Sequence, residues 1–529
     1  MSVSFASQTT RGRIGPLARY GVAFIASLIV SLSALGAGHQ VALKNPVVIV
    51  FLLLLALPSL VAAARPAAGL AVLLVVSLIS WAVPALIPQL SALGTETTFG
   101  VAVLSSAIGL LLGSFDRRER LTGTPLLAPL AVCAAWIVIT FAWNAWHTSG
   151  SSHSPQFTVF VLLQGLFFLY VVNAVRTETA VWRLLYLLVF SSIPISVIAY
   201  LQYGFRYLGI DYTAIHPALQ TLAEHLTFKV RVAGTLSDAG ILSFFYLTVF
   251  VIATALLCIE RQRWLRVALL FTIAFTVWPF LVTFTKSTIV VVLLTLVVLA
   301  AMRRSWQVAV GSVVGAIAGW TALSLIPFSS LLANLGFHAF DYGLSGDGDI
   351  TQRLQFMSQC AAVVPGHPIF GLGPLGAQQI TGSHCHNLPL EIVTDFGVIG
   401  VLLFGWLIWR VYLLSWRVFK AGATGRLWLL PTAQPMDILG TLAQVNMALL
   451  VGFGVLALLW PLINFSIPWF WMLIALVVGG ILSPTTRTAL RAAGDPLAPD
   501  DTRIPAPAWI DYEGKAQESG ASLGTGKPT

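Results

Sequence analysis

The sequence predicts an all-α polytopic integral membrane protein of about fourteen transmembrane helices, with a partly helical outer loop over an outward-facing cavity. Three observations predict it. Of 529 residues, 57% are hydrophobic and only 9% charged, with mean hydropathy +0.87, and that leaves too little polar surface to cover a water-soluble globule of this size. Apolar runs of the length a spanning helix needs, about 20 residues, recur from Tyr20 almost to Pro484. The lysines and arginines between those runs gather in alternate loops, as they do when positive charge is retained on the cytoplasmic side. The net charge of +9 has that ordinary meaning here, and nucleic acid is not expected as a partner.

Residues 1–19 form a polar N-terminal tail containing Arg11, Arg13 and Arg19. The run that follows, Tyr20 to Gly38, exceeds the roughly 7–15 apolar residues of a secretory signal and reads as the first span. The predicted spans are residues 20–38, 46–64, 67–90, 97–115, 125–145, 156–175, 180–203, 236–259, 265–284, 288–302, 307–327, 394–415, 436–461 and 465–483. Pro84 and Pro88 mark the third as broken or re-entrant.

With the N-terminus inside, every inside loop carries its cations: Arg65; Arg117, Arg118 and Arg120; Arg176; Arg261, Arg263 and Arg266; Arg303 and Arg304; Arg417, Lys420 and Arg426; Arg487 and Arg491. The chain then divides into a cytoplasmic tail (1–19), N-terminal transmembrane helices (20–203), an outer loop (204–235), transmembrane helices (236–327), a large outer loop (328–393), C-terminal transmembrane helices (394–483) and a cytoplasmic tail (484–529). Composition makes that last tail disordered. The large loop is patterned, with an amphipathic run from Gln352 to Val364 and then GHPIFGLGP, so it is expected to be ordered and to lie over the membrane surface.

Cations on the outer side need their own explanation. Arg231, Lys286, Arg353 and His386 all fall there by a charge count that did not use them. Each has a structural reading: headgroup contact for Arg231, snorkelling for Lys286, an ion pair with Asp347 or Asp349 for Arg353, and an interfacial ring for His386. Together they suit an anionic substrate such as a diphosphate.

His386 and Asn387 stand at the head of an apolar helix and are followed, after nine residues, by Gly397 and then Gly400. Asn387 is a good N-cap residue with Pro389 in the first turn, and the helix N-terminus would favour a phosphate. Gly397 and Gly400 read as a close-approach face toward a neighbouring helix, shaping the site without acting in it. His384, Cys385 and His386, with His367 nearby, are adjacent ligand types, but neighbours in sequence rarely point into one coordination sphere, and no metal or other cofactor is expected. Cys133, Cys258, Cys360 and Cys385 make no disulfide-rich framework. Cys360 and Cys385 share the outer loop, as a disulfide or as two thiols.

The His-Asn, nine-residue gap, Gly-x-x-Gly pattern resembles the signature of the bacterial O-antigen ligase and polymerase family. RVAGTLSDAG, with Arg231, is similar to that family's Arg-x-x-Gly-Thr segment, with Asp238 and Ala239 where Pro-Asn often follows. TFTKST resembles its Ser-Arg-Gly turn, with Thr285 and Lys286 in place of serine and arginine. QRLQFMSQCAAVVPGHPIFGLGP resembles its arginine-led helix, His-Pro and Gly-x-Gly-Pro.

The resemblance covers residues 228–410. It implies a metal-independent glycosyltransferase in the inner membrane, both termini cytoplasmic, moving a glycan from an undecaprenyl-diphosphate donor to a glycan or lipid A core acceptor on the periplasmic face. It further implies that Arg231 and Lys286 hold the diphosphate and that His386 acts as base on the acceptor hydroxyl or steadies the diphosphate; Arg353 joins the diphosphate set as one of the outer-side cations. A point-charge lysine holds a phosphate less directionally than an arginine fork. Asp238, Glu391 and Asp395 are further candidate bases; the last two sit four apart on one helix, and the other reading of Asp395 is burial against a neighbouring helix or pairing with a cation. The alternative is a lipid-linked oligosaccharide flippase or an anion transporter, which would place ionisable residues deep in several spans and repeat its two halves; neither pattern stands out.

Overall fold

The computed structural model describes residues 58–79, 95–117, 124–147, 155–175, 177–207, 235–236, 239–283, 286–303, 347–382, 385–423, 434–458 and 472–476. Arg231, Asp238, His384, Pro84, Pro88 and the predicted spans at 20–38 and 307–327 lie outside them, as does most of those at 46–64 and 465–483.

The described residues are helical, with no strand among them. In order they form α1 (Pro66–Ile79), α2 (Thr95–Arg117), α3 (Leu127–His147), α4 (Pro155–Ala174), α5 (Glu178–Tyr207), α6 (Ala239–Ile259), α7 (Arg263–Val282), α8 (Lys286–Arg303), α9 (Asp347–Val363), α10 (Gly376–Thr381), α11 (Leu388–Ala423) and α12 (Gln434–Ala457). Six of the described helices, α3, α5, α6, α7, α11 and α12, are long and apolar enough to cross a membrane, and α1, α2, α4 and α8 contain shorter apolar stretches. The described residues are those of an all-α membrane protein. Its α11 begins at Leu388, six residues before the predicted span at 394, because Asn387 caps it there.

The bundle is built around α6, which packs against α5, α7, α8 and α12. Its sequence AGILSFFYLTVFVIATALLCI is apolar on every side, the pattern of a helix enclosed by others, and residues 239–253 are all buried. Lipid is as apolar as leucine, so what holds helices together there is close packing and hydrogen bonding. Phe250 meets Phe280 of α7 edge to face at 5.3 Å between centroids, and Phe244 stacks on Phe453 of α12 at 5.1 Å. The hydroxyls of Ser196 and Tyr246 are 2.8 Å apart, and those of Ser243 and Thr288 3.0 Å.

Side-chain contacts fix the direction of several of the helices. Arg303 at the end of α8 donates to Thr441 near the start of α12 at 3.0 Å, so these helices are antiparallel. Ser243 with Thr288 puts the N-termini of α6 and α8 at one end of the bundle. Thr235, just before α6, donates to the Leu78 carbonyl at 2.8 Å and brings the end of α1 to that same end. At the opposite end the Tyr186 hydroxyl donates to Glu260, beside Arg261, Arg263 and Arg266. Arg65, Arg303, Arg417 and Lys420 lie toward that opposite end with them, given these helix directions.

Candidate functional site

The site is built where the chain returns from the large loop into α11. Asn387 caps that helix: its Oδ1 accepts the Leu390 N–H at 2.9 Å, its carbonyl accepts the Glu391 N–H at 2.9 Å, and its Nδ2 donates to the Leu458 carbonyl at 3.2 Å. One side chain therefore fixes the start of α11 to the end of α12. The cap reading made from the sequence is what the structure has.

His386, directly before the cap, has φ +54°. A left-handed histidine is uncommon and persists where its neighbours determine it. On one side is the Asn387 cap. On the other, Cys385 is bonded to Cys360 of α9, with the Cα atoms 6.0 Å apart. The imidazole stacks on Phe356 of α9, centroids 5.9 Å apart and planes 23° apart. The disulfide resolves the two cysteine alternatives and removes the Cys385 thiol from any ligand set. Among the described residues no three His, Cys, Asp or Glu side chains converge as metal ligands.

Gly397 does something the sequence reading did not foresee. It has φ +69° and ψ −175° and interrupts α11, so it is a break in the helix and not a surface for helix packing. Breaking a helix within a membrane strands carbonyls that must find other donors. Here they do. The Thr394 and Asp395 carbonyls accept the N–H groups of Leu372 and Gly373, each at 2.8 Å, and the Phe396 carbonyl accepts Trp136 Nε1–H of α3 at 2.9 Å. Val398 N–H donates to the Pro368 carbonyl at 2.9 Å. The GHPIFGLGP stretch is thus a hook seated in the gap of α11. A Cβ on Gly397 would overlap the Ile369 carbonyl, and one on Gly371 would overlap the Asp395 backbone.

Asp395 was a candidate base. It is fully buried, Oδ1 accepting the Ala377 N–H at 2.7 Å and Oδ2 the Leu375 N–H at 3.1 Å. Both oxygens are engaged in holding the start of α10, so its work is architectural. Glu391, one turn earlier, is also buried. Gly400 faces its own Phe396 and the Trp136 indole, beside the break. The hook's aromatic anchor is Phe370, stacked between Trp143 and Trp136 at 4.5 and 5.4 Å, and Asn144 Nδ2 donates to the Gly371 carbonyl at 3.4 Å. Trp136, Trp143 and Asn144 escaped the sequence reading, since nothing in their spacing on α3 distinguishes them from a lipid-facing aromatic belt.

Two more predicted positions come to this end, Lys286 by helix direction and Arg353 through the disulfide that ties α9 to the His386 turn. Lys286 is the first residue of α8, at the same end as the start of α6 and the end of α12, and hence as Asn387. Arg353 lies on α9 three residues before Phe356 and seven before Cys360, a spacing that puts all three on one helix face. Arg231 and Asp238 are outside the described residues. Among known proteins, no family model matches this chain and no curated sequence matches it.

Proposed function

We propose that the protein is a metal-independent membrane glycosyltransferase of the O-antigen ligase and polymerase type, moving a glycan from an undecaprenyl-diphosphate donor to an acceptor hydroxyl. The observation that carries the reading is the turn at His386. A histidine is held in a left-handed conformation between a disulfide and a helix cap, at the bundle end where α8 begins with Lys286. The positive-inside rule supports an outward orientation for this end, because Arg65, Arg261, Arg263, Arg266, Arg303, Arg417 and Lys420 lie toward the other.

The chemistry asks for two things at one place. The acceptor oxygen attacks the anomeric carbon while the bond from that carbon to the diphosphate oxygen breaks, so a base must take the hydroxyl proton and cations must stabilise the departing diphosphate. His386 is the base, since imidazole titrates near neutrality. Lys286, Arg353 and Arg231 hold the diphosphate, and the positive end of the α11 dipole favours the same charge. Asn387 keeps the histidine in place, Gly397 and Gly400 shape the surroundings of the hook, and none of the three takes part in the transfer. Both membrane lipid and the donor's own polyprenyl chain meet the protein at this face.

A surface-glycan profile on a gel tests the reading, using a strain lacking this chain and complemented by the wild type. Loss of the long ladder from the surface, with lipid-linked polymer accumulating on the periplasmic face, identifies a ligase. Single repeats alone identify a polymerase. Lipid-linked glycan trapped on the cytoplasmic face would make the protein a flippase and end the transferase reading.

A further inference from the structure

The Cys360–Cys385 bond joins two elements that contribute to the site from different parts of the chain. Cys385 is adjacent to His386, and Cys360 lies on the α9 face that also carries Arg353 and Phe356. Around the bond is a small cluster, with Cys360, Ala377 and Cys385 buried and Leu390 packed against them, separate from the main apolar core. The rest of α9 is polar in composition for a helix of this protein, with Leu354 58% exposed, and it packs on α10 and α11. A helix with so little apolar burial depends on specific bonds for its placement.

The two sides of His386 are fixed in different ways. The C-terminal side is held by the Asn387 cap on α11 and α12, which survives loss of the disulfide. The N-terminal side has Cys385. Cutting the bond removes the covalent tie between the His386 turn and α9, leaving the Phe356 stacking and the packing of α9 on α10 and α11 to hold the Arg353 face. A left-handed histidine without both fastenings relaxes toward ordinary backbone.

We propose that this disulfide is the positioning device of the site, holding His386 and the Arg353 face of α9 in one arrangement, so that transfer requires the bond while the transmembrane bundle does not. The inference rests on the transferase reading above. Cys360 and Cys385 are positioning residues, and the protein reaches its active form in an oxidising compartment.

The test uses the full-length protein in vesicles, with lipid-linked glycan extracted from the deletion strain as donor. The Cys360→Ala/Cys385→Ala protein is compared with the wild type for kcat, KM, thermal unfolding and the rate at which diethyl pyrocarbonate modifies His386. The wild type is also treated with a dithiol, which passes two electrons and two protons to the bond and closes to its own disulfide, and is then reoxidised with glutathione disulfide.

The expected result is a kcat lowered on the order of a hundredfold, as for a misplaced catalytic group. His386 should be modified several-fold faster, with the unfolding temperature unchanged and activity restored on reoxidation. A double variant with wild-type kcat and wild-type His386 reactivity, beside an active wild type, overturns the proposal and leaves the transferase reading standing. So does a loss of kcat accompanied by unfolding of the bundle. If the wild type itself transfers nothing, the transferase reading fails and takes the positioning role with it.

Discussion

The helices around α6 and the hook around α11 lie in one protein but are held by different physics. Around α6 the contacts are numerous and mostly apolar, with residues buried on every side, and no single atom decides the arrangement. Around α11 the arrangement rests on a few directional bonds: a cap, a disulfide, a carboxylate gripping two amides, and carbonyls shared with a second segment. Bulk packing builds a scaffold that tolerates change. Directional bonds place one side chain, and each of them is vulnerable.

The comparison is broken most readily at Gly397. Replacement by alanine adds a Cβ that overlaps the Ile369 carbonyl at a positive φ and should cost about 4 kcal/mol, read as a shift of unfolding in detergent. A small effect there would mean that the hook is not seated in the helix gap. Next comes Asp395→Ala, which strips the Leu375 and Ala377 N–H groups of their acceptor in a buried place. A loss of about 3 kcal/mol is expected, with Asp395→Asn recovering part of it because one acceptor oxygen remains.

Asn387→Ala is a smaller test, about 1 kcal/mol for a lost N-cap. It sharpens the contrast if the site suffers more than the fold, so the unfolding midpoint and the diethyl pyrocarbonate reactivity of His386 should be measured on the same sample. In the bundle the expectation reverses. Leu247→Met, buried in α6, keeps volume and should change stability by less than about 1.5 kcal/mol. Val290→Leu, on an exposed position of α8, should be within about 0.5 kcal/mol. A bundle substitution of this kind that cost as much as Gly397→Ala would erase the distinction between the two regions.

How much of this the sequence carried follows the same division. Apolar runs are local in the chain, so α3, α4, α6, α7 and α8 appear within a few residues of the predicted spans. The Asn387 cap was legible for the same reason, since a capping side chain reaches amides three residues away. The break at Gly397 was not. A glycine inside an apolar helix looks alike whether it admits a neighbouring helix or bends the backbone, and what separates them is a segment some 25 residues earlier in the chain. Burial of Asp395 is one of the readings its sequence position allows, but its partners are not legible there: Leu375 and Ala377 offer backbone amides that no side-chain pattern reveals.

The claim that matters most is that the fixed turn exists to present His386 to a substrate. It is tested most directly by single-turnover transfer from extracted lipid-linked glycan, comparing the wild type with His386→Ala in vesicles at equal protein and with unfolding measured alongside. A transfer rate lowered by at least about a hundredfold, at an unchanged unfolding temperature, is the predicted result. Transfer within a few-fold of the wild type would make His386 a structural residue and contradict the account.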